Sequence, residues 1–225
     1  LLSRLKKKLK HMKKNMRIVF MGTPEFAVTT LKTLVEHNYN VVGVITAPDK
    51  PAGRGQKLHE SDVKKYAVAQ NLNVLQPTNL KDESFINDIK ALKANLQIVV
   101  AFRMLPEVVW QMPEYGTFNL HASLLPNYRG AAPIHWAIIN GLQKTGVSTF
   151  YINENIDCGE IIEQKKVSIS ENENTGELYN KLKKIGALTI LSTLEKIDEK
   201  DFKSIKQNES KENLKAPKLN RENTK

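Results

Sequence analysis

Two polar side chains end an apolar run in the stretch NLHASLLPNYRG, residues 119–130. Alternate residues of a β-strand point to the same side, so we expect Asn119 and His121 to share one face. A third polar side chain, Asp157, lies in the Gly-containing turn of NENIDCGEII. An amide N–H stabilises a developing oxyanion, an imidazole transfers a proton, and a carboxylate fixes the imidazole tautomer or takes the proton onward. This combination of residue types favours acyl-type transfer to an amine.

Each of these residues also has a purely structural interpretation. Asn119 is also a common residue type where a strand ends in a turn. His121 could equally be a hydrogen-bonded structural histidine, and Asp157 could simply form the turn. No Ser or Cys has the surroundings of an activated nucleophile, so direct transfer without a covalent enzyme intermediate is the simpler mechanism. The other histidines lack the spacing of metal ligands, with one another or with Cys158, so no metal site is predicted.

Short apolar runs alternate with amphipathic segments along the chain. The predicted strands are residues 17–21, 40–46, 96–102, 116–121, 146–152 and 159–169, and the predicted helices are residues 24–37, 61–71, 132–141 and 175–197. Ser61 and Thr175 are the expected N-caps of two of these helices. The order predicts an α/β fold with a Rossmann-like open, mostly parallel sheet, helices on both faces and an antiparallel extension.

The turn after the first strand, MGTPEF, is where many such folds bind a nucleotide. It has neither the G-x-G-x-x-G spacing nor the Lys-Ser/Thr of a phosphate-binding loop, so a dinucleotide or a nucleoside triphosphate is not predicted there. Ligands of open α/β sheets bind beyond the carboxyl ends of the strands, which is where Asn119 and His121 are expected.

The formal net charge of +10 suggests a nucleic-acid partner. The excess charge lies outside the predicted globular part, with +8 in residues 1–17 and +2 in residues 195–225. Residues 18–194 are therefore neutral, and RNA binding would have to use local patches. The single cysteine, Cys158, excludes an internal disulfide and fits a reducing compartment, while no apolar run approaches the roughly 18 residues of a membrane span. We therefore expect a cytoplasmic protein with no membrane partner.

The motifs NLHASLLPNYRGAAPI and IDCG resemble those of the folate-dependent formyltransferases. RGAAPI, together with PDKPAGRGQKL at residues 48–58, is similar to the methionyl-tRNA formyltransferases in particular, because relatives that act on glycinamide ribonucleotide lack both motifs. The resemblance covers residues 16–197. It implies transfer of a formyl group from the cosubstrate 10-formyltetrahydrofolate to the α-amino group of methionine on initiator tRNA, for translation initiation.

The resemblance also implies roles for individual residues. Asn119, His121 and Asp157 match the catalytic triad of the family. The turn that follows the triad's strand matches the folate-contacting turn, and its leucines and proline can supply apolar walls for a flat ring. Its residues are Ser123, Leu124, Leu125 and Pro126.

The loop DKPAGRGQKL has no large apolar residue before Leu58, so it is not expected to pack in a core. Lys50, Arg54 and Lys57 project from it and are predicted to bind tRNA phosphates and to order on contact. The alternative is an ordinary solvated loop.

The chain departs from the family pattern in three places. Arg103 adds a charge near the expected pterin side, and Cys158 stands where threonine is common. Residues 198–225 are polar and resemble the linker into a carboxyl-terminal β-barrel domain that helps to hold tRNA in the family. With residues 1–15 expected to be a basic disordered extension, the predicted catalytic domain is residues 16–197, and we expect a monomer.

Two other functions remain open from the sequence. One is formyl transfer to the amine of a sugar nucleotide, which predicts a nucleotide-sugar pocket and no basic loop around Arg54. The other is a protein that binds folate or RNA without turnover. The complete triad disfavours the second, whereas the lack of the family's carboxyl-terminal β-barrel in this sequence favours it.

Overall fold

The computed structural model describes residues 15–52, 57–199, 202–208 and 213–223. The strands are β1 (Arg17–Gly22), β2 (Asn40–Ile45), β3 (Lys50–Ala52), β4 (Lys57–His59), β5 (Val74–Leu75), β6 (Leu96–Val100), β7 (Thr117–His121), β8 (Lys144–Tyr151) and β9 (Ile161–Ser168). The helices are α1 (Glu25–Glu36), α2 (Asp62–Ala69), α3 (Glu83–Ala91), α4 (Glu107–Trp110), α5 (Pro133–Ile139) and α6 (Thr175–Asp198). The chain divides into two compact units between Phe118 and Asn119, within β7.

Seven strands form one sheet in the order β5–β2–β1–β6–β7–β8–β9. β1 pairs in parallel with β2 and with β6, and β2 pairs in parallel with β5. β8 and β9 are antiparallel, with a register that runs from Lys144 opposite Ser168 to Phe150 opposite Ile161. The predicted α/β fold, with a mostly parallel sheet and an antiparallel extension, is confirmed.

The first unit is built on strands that are apolar on both faces. Residues 18–21 of β1 and all of β6 are buried, which is typical of strands in the middle of a parallel sheet. α1 contacts β1, β2 and β6 and buries Phe26, Leu31 and Leu34. The spacing of these three residues gives a helix with one apolar face, as the sequence predicts.

The second unit is built on β8, β9 and the long helix α6, which contacts both strands. α6 begins at a capping box in which Asn174 and Glu177 each accept a hydrogen bond from the other's backbone N–H. The prediction that Thr175 is the cap is wrong by one residue, because the side-chain oxygen of Asn174 accepts a hydrogen bond from the Glu177 backbone N–H at 3.0 Å. The predicted extent of the helix is otherwise confirmed.

Several helices and strands of the structure are not predicted from the sequence. α3 buries Phe85, Ile86 and Ile89 at helical spacing, and α4 is a single turn. The basic segment predicted as a loop contains a short antiparallel hairpin, in which Lys50 is opposite His59. Residues 53–56, with Arg54, lie outside the described residues.

The polar carboxyl-terminal segment is attached to the second unit by backbone hydrogen bonds. Ile205 forms an antiparallel bridge with Ile161, and Lys215 forms a parallel bridge with Arg129. Gln207 is 7 % exposed and Ala216 is fully buried. Backbone groups pair whatever the side chains are, so polar composition alone does not indicate that this segment is attached.

Candidate active site

The end of β7 presents Asn119 and His121 on one face of the strand. The residue between them, Leu120, points the other way and packs against α6. A Cβ placed on Gly186 of that helix would lie 2.8 Å from Leu120 Cδ2, so glycine is what lets the helix backbone approach so closely. Because side chains alternate along a strand, the packing of Leu120 directs Asn119 and His121 away from α6.

The imidazole of His121 lies between two oxygen atoms. Nε2 is 2.8 Å from the carbonyl oxygen of Tyr128, and Nδ1 is 3.7 Å from Asp157 Oδ2. A carbonyl oxygen only accepts, so Nε2 carries a proton and donates it. Nδ1 is then the ring nitrogen that can exchange a proton with the carboxylate. Both side chains are largely shielded from water, at 8 % and 14 % exposed.

Asp157 lies in a turn with an uncommon backbone conformation. Its φ is 54°, in the left-handed region that Asp and Asn tolerate better than most residues. Its Oδ2 also accepts a hydrogen bond from the backbone N–H of Gly130 at 2.8 Å. The carboxylate that faces His121 is therefore fixed by its backbone at one end and by Gly130 at the other.

The side chain of Asn119 is half-buried, and its amide has no hydrogen-bond partner among the described residues. An amide carries two N–H donors, so it can bind an oxygen that is not yet present. The structure thus brings together His121 and Asp157 as the sequence predicts, and it places Asn119 two residues from His121 on the same face. Their catalytic role stays a prediction.

A network of polar side chains holds the turn after β7. The Ser148 hydroxyl donates to the Ser123 carbonyl at 2.6 Å and accepts from the Leu125 backbone N–H at 3.1 Å. Gln164 Nε2 donates both to the Leu125 carbonyl at 2.9 Å and to Ser148 Oγ at 2.8 Å. Ser123 Oγ donates to the Asn127 carbonyl at 2.7 Å. The hydroxyl of Ser123 is therefore used within the turn itself.

The two leucines of this turn have different surroundings. Leu125 is 3 % exposed and packs with Phe150 and Ile161 in the core. Leu124 and Pro126 are half-buried. Of the three apolar residues expected to form walls for a ring, the structure leaves Leu124 and Pro126 accessible, while Leu125 supports the turn from inside.

The basic hairpin of the first unit is held at its base by a charged cluster. Lys64 binds Asp49, and it binds Glu60 at 2.8 Å, while Gln76 donates to Asp49 Oδ1 at 2.8 Å. The hydrogen bonds from Lys64 and then Gln76 lower the pKa of the Asp49 carboxyl. This cluster fixes the point at which the segment leaves the unit, next to Lys50.

The predicted tRNA-binding residues are placed only in part. Lys50 is exposed at the start of β3. Arg54 lies outside the described residues, and so does the side chain of Lys57.

Arg103 and Cys158, at which the chain departs from the family pattern, have defined contacts, and so does Arg129. Arg103 donates to the carbonyls of Thr78 at 2.8 Å and of Pro77, and desolvation by burial lowers its pKa. The Cys158 thiol donates to the Ile156 carbonyl at 3.1 Å. Arg129 donates to Gln207 Oε1, at 3.2 Å from Nε and 2.7 Å from Nη2.

In the part of the chain that the structure describes, no group of three or more His, Cys, Asp or Glu side chains could hold a metal ion. No helix within those same ranges has both the length and the apolar content to cross a membrane.

The formyl transferase family matches residues 16–194 of this sequence, so the chain belongs to that family. Among curated relatives, the methionyl-tRNA formyltransferase of Flavobacterium johnsoniae is 60% identical over 93% of this chain. The enzyme of the same name from Bacteroides fragilis is 57% identical over 88% of it. The chain spans 67% and 61% of the lengths of these two relatives.

Among solved structures, the sugar 3N-formyl transferase WlaRD, crystallised in the presence of dTDP and 5-N-formyl-THF, matches with a TM-score of 0.67. The match covers 93% of this chain and 71% of that one at 21% sequence identity. A likeness at this identity shows the shared fold.

The residues that support the site are not predicted from the sequence. Ser148 is one of three buried polar residues of β8, with Thr145 and Thr149, and a buried hydroxyl requires hydrogen-bond partners. Gln164 and Gln207 lie in polar surroundings in the sequence, so no pattern distinguishes them.

Proposed function

We propose that this protein transfers a formyl group from 10-formyltetrahydrofolate to the α-amino group of methionine on initiator tRNA. The observation that carries the proposal is the 60% identity with a methionyl-tRNA formyltransferase over 93% of the chain. The arrangement of Asn119, His121 and Asp157 supports it, because these groups suit the addition of an amine to a carbonyl.

The reaction balances without a covalent enzyme intermediate. The amine nitrogen forms a bond with the formyl carbon, and the bond from that carbon to N10 of the folate breaks. The amine loses a proton and N10 gains one. The chain must therefore stabilise the oxyanion of the tetrahedral intermediate and provide a route for the proton.

Asn119 is suited to the oxyanion, since its amide N–H groups are available at the end of β7. His121 and Asp157 are suited to proton transfer, because Nδ1 of the imidazole faces the carboxylate while the Tyr128 carbonyl fixes the tautomer. In this scheme the pair accepts the proton from the attacking amine and returns it toward N10.

The folate would lie against the turn after β7. Leu124 and Pro126 offer half-buried apolar surface there, and Ser148 and Gln164 keep the turn rigid. The RNA would be held by basic residues at and near the hairpin, Lys50, Arg54 and Lys57. Such contacts to phosphates position the RNA and do not depend on its sequence. A monomer that acts in the cytoplasm remains part of this proposal.

Formyl transfer to a sugar nucleotide is the second candidate. Its support is the shared fold of WlaRD, at 21% identity. The much higher identity with the methionyl-tRNA enzymes and the basic segment at residues 50–59 favour tRNA.

The experiment offers the purified chain 10-formyltetrahydrofolate with either Met-tRNA or a dTDP-linked amino sugar, and measures the formylated product. We expect formyl-Met-tRNA, with a rate that falls as salt rises, because basic residues release counterions from the RNA. Product from the amino sugar alone would show that the substrate assignment is wrong. Folate binding without either product would favour the protein without turnover.

A further inference from the structure

Gln207 uses its whole side-chain amide in a buried position. Nε2 donates to the backbone carbonyls of Asp157 at 2.9 Å and of Gly159 at 2.7 Å, while Oε1 accepts from both Nε and Nη2 of Arg129. Carbonyl oxygens only accept and a guanidinium only donates, so the amide has one workable orientation. All four hydrogen-bonding positions of the amide are thereby filled.

The first contact of Gln207 is with the turn that carries the candidate carboxylate. Asp157 has a φ of 54°, which few residues adopt without support from their surroundings. Gln207 binds the main chain of this residue and of Gly159, two residues further on. It therefore fixes the backbone from which the Asp157 side chain reaches His121.

The second contact of Gln207 is with the other loop of the site. Arg129 lies between Tyr128, whose carbonyl binds His121, and Gly130, whose N–H binds Asp157. Nε2 of Gln207 binds the Asp157 turn and Oε1 binds Arg129. Gln207 therefore links that turn to the loop that holds both His121 and Asp157.

Further along, the same carboxyl-terminal segment pairs with this loop through its backbone. The N–H of Ala216 donates to the Arg129 carbonyl at 2.8 Å, and the N–H of Tyr128 donates to the Leu214 carbonyl at 2.6 Å. Gly130 has a φ of 120°, and a Cβ there would lie 2.6 Å from the Ala216 carbonyl oxygen. The segment thus lies directly against the loop at a position that favours glycine.

We propose that Gln207 is a positioning residue for the pair formed by His121 and Asp157, and that the carboxyl-terminal segment is part of the candidate active site. The effect on rate rests on the proposed function, whereas the effect on geometry does not. Loss of the amide leaves two carbonyls and a guanidinium without these partners, so the Asp157 turn moves relative to His121. A displacement of this kind, near 1 Å, lowers rates by up to about 100-fold.

Two variants test the side-chain amide, one by removing it and one by replacing only its donor group. Gln207→Met keeps the length of the side chain and removes every hydrogen bond. Gln207→Glu keeps an acceptor for Arg129 but places an acceptor against the two carbonyls. The matched control is Asn208→Met, because Asn208 is the exposed neighbour and its side-chain amide has no hydrogen-bond partner among the described residues.

The first readout is hydrogen exchange of the Gly130 backbone amide by NMR, on the whole chain. This amide is bonded to the Asp157 carboxylate, so it reports the position of that group. We expect exchange faster by roughly tenfold or more in both Gln207 variants and no change in the control. The Leu125 amide, bonded to Ser148, serves as the internal reference and should be unaffected. Unchanged exchange at Gly130 would overturn the proposal, and so would a Gln207→Glu protein that matches the wild type.

The second readout is formyl transfer. We expect kcat to fall about tenfold to 100-fold in Gln207→Met, with little change in KM for the folate donor. In an Asp157→Asn background the same substitution should cause a much smaller further loss, because the geometry that Gln207 maintains is that of the pair. A full additional loss in that background would overturn the proposal, since it would point to general destabilisation. If the wild type transfers no formyl group, the proposed function fails, and the exchange experiment decides the positioning role by itself.

Discussion

Asp157→Asn is the substitution that removes least from the structure and most from the proposed chemistry. The amide oxygen of Asn can still accept the Gly130 N–H, and Asn tolerates the left-handed conformation at this position. The fold and the turn should therefore persist. What disappears is the negative charge that faces His121 Nδ1 at 3.7 Å.

The size of the effect follows from this distance. Two unit charges 3.7 Å apart interact by about 4 kcal/mol at an effective dielectric constant near 20. Since about 1.4 kcal/mol corresponds to a factor of ten, losing this stabilisation of the protonated imidazole would slow transfer by roughly 1,000-fold. Both side chains retain slight exposure, so we expect a fall in kcat of about 100-fold to 1,000-fold, with KM for folate nearly unchanged.

The assay is single-turnover transfer of a labelled formyl group to Met-tRNA, which reports the chemical step. Glu154→Gln is the matched control, because it removes the same charge from an exposed residue three positions earlier. Circular dichroism and thermal unfolding confirm that both variants are folded. If folded Asp157→Asn transfers the formyl group as fast as Glu154→Gln, Asp157 has no role in moving the proton.

Three further predictions test other parts of the account. Asn119→Ala should lower kcat by about 100-fold to 1,000-fold in the same assay through loss of an oxyanion donor, and a wild-type rate would remove Asn119 from the mechanism. Leu125→Ala should lower the free energy of unfolding, measured in urea, by about 2–5 kcal/mol, whereas Leu188→Ala, at a residue 63% exposed, should change it little. Equal effects of the two substitutions would show that Leu125 does not support the turn from the core. Arg54→Ala should raise KM for Met-tRNA and reduce the slope of its salt dependence by about 1, while the affinity for folate is unchanged. An equal loss of folate affinity in titrations would argue against an RNA-binding role for Arg54.

Much of the fold is predictable because its signals are local. Apolar runs such as residues 96–100 identify buried strands, and the apolar face of Glu25–Glu36 identifies a helix. The helix Glu83–Ala91 has the same kind of signal in only nine residues, most of them polar, which makes it easy to overlook. The N-cap of the last helix shows the limit of local reading, because Asn174 and Thr175 are adjacent residues of cap-forming type.

The candidate site was predictable only where strand geometry decides it. The alternation of side chains in β7 puts Asn119 and His121 on one face, and nothing more is needed. The approach of Asp157 depends on a turn 36 residues later in the chain and on its contact with Gly130. The part played by Gln207 depends on contacts across 48 to 78 residues, which composition cannot indicate.

The attachment of the last described residues has a consequence for the order in which the protein folds. Trp136 binds the Pro217 carbonyl across 81 residues, and Asn127 binds the Leu214 N–H across 87. Contacts so distant in sequence close large loops, and they form late because the entropy lost in closing the loop precedes their benefit. During synthesis the sheet and α6 can form before residues 205–217 leave the ribosome, yet the two loops around His121 are not fixed until those residues arrive. Activity should therefore lag behind compaction in a refolding experiment.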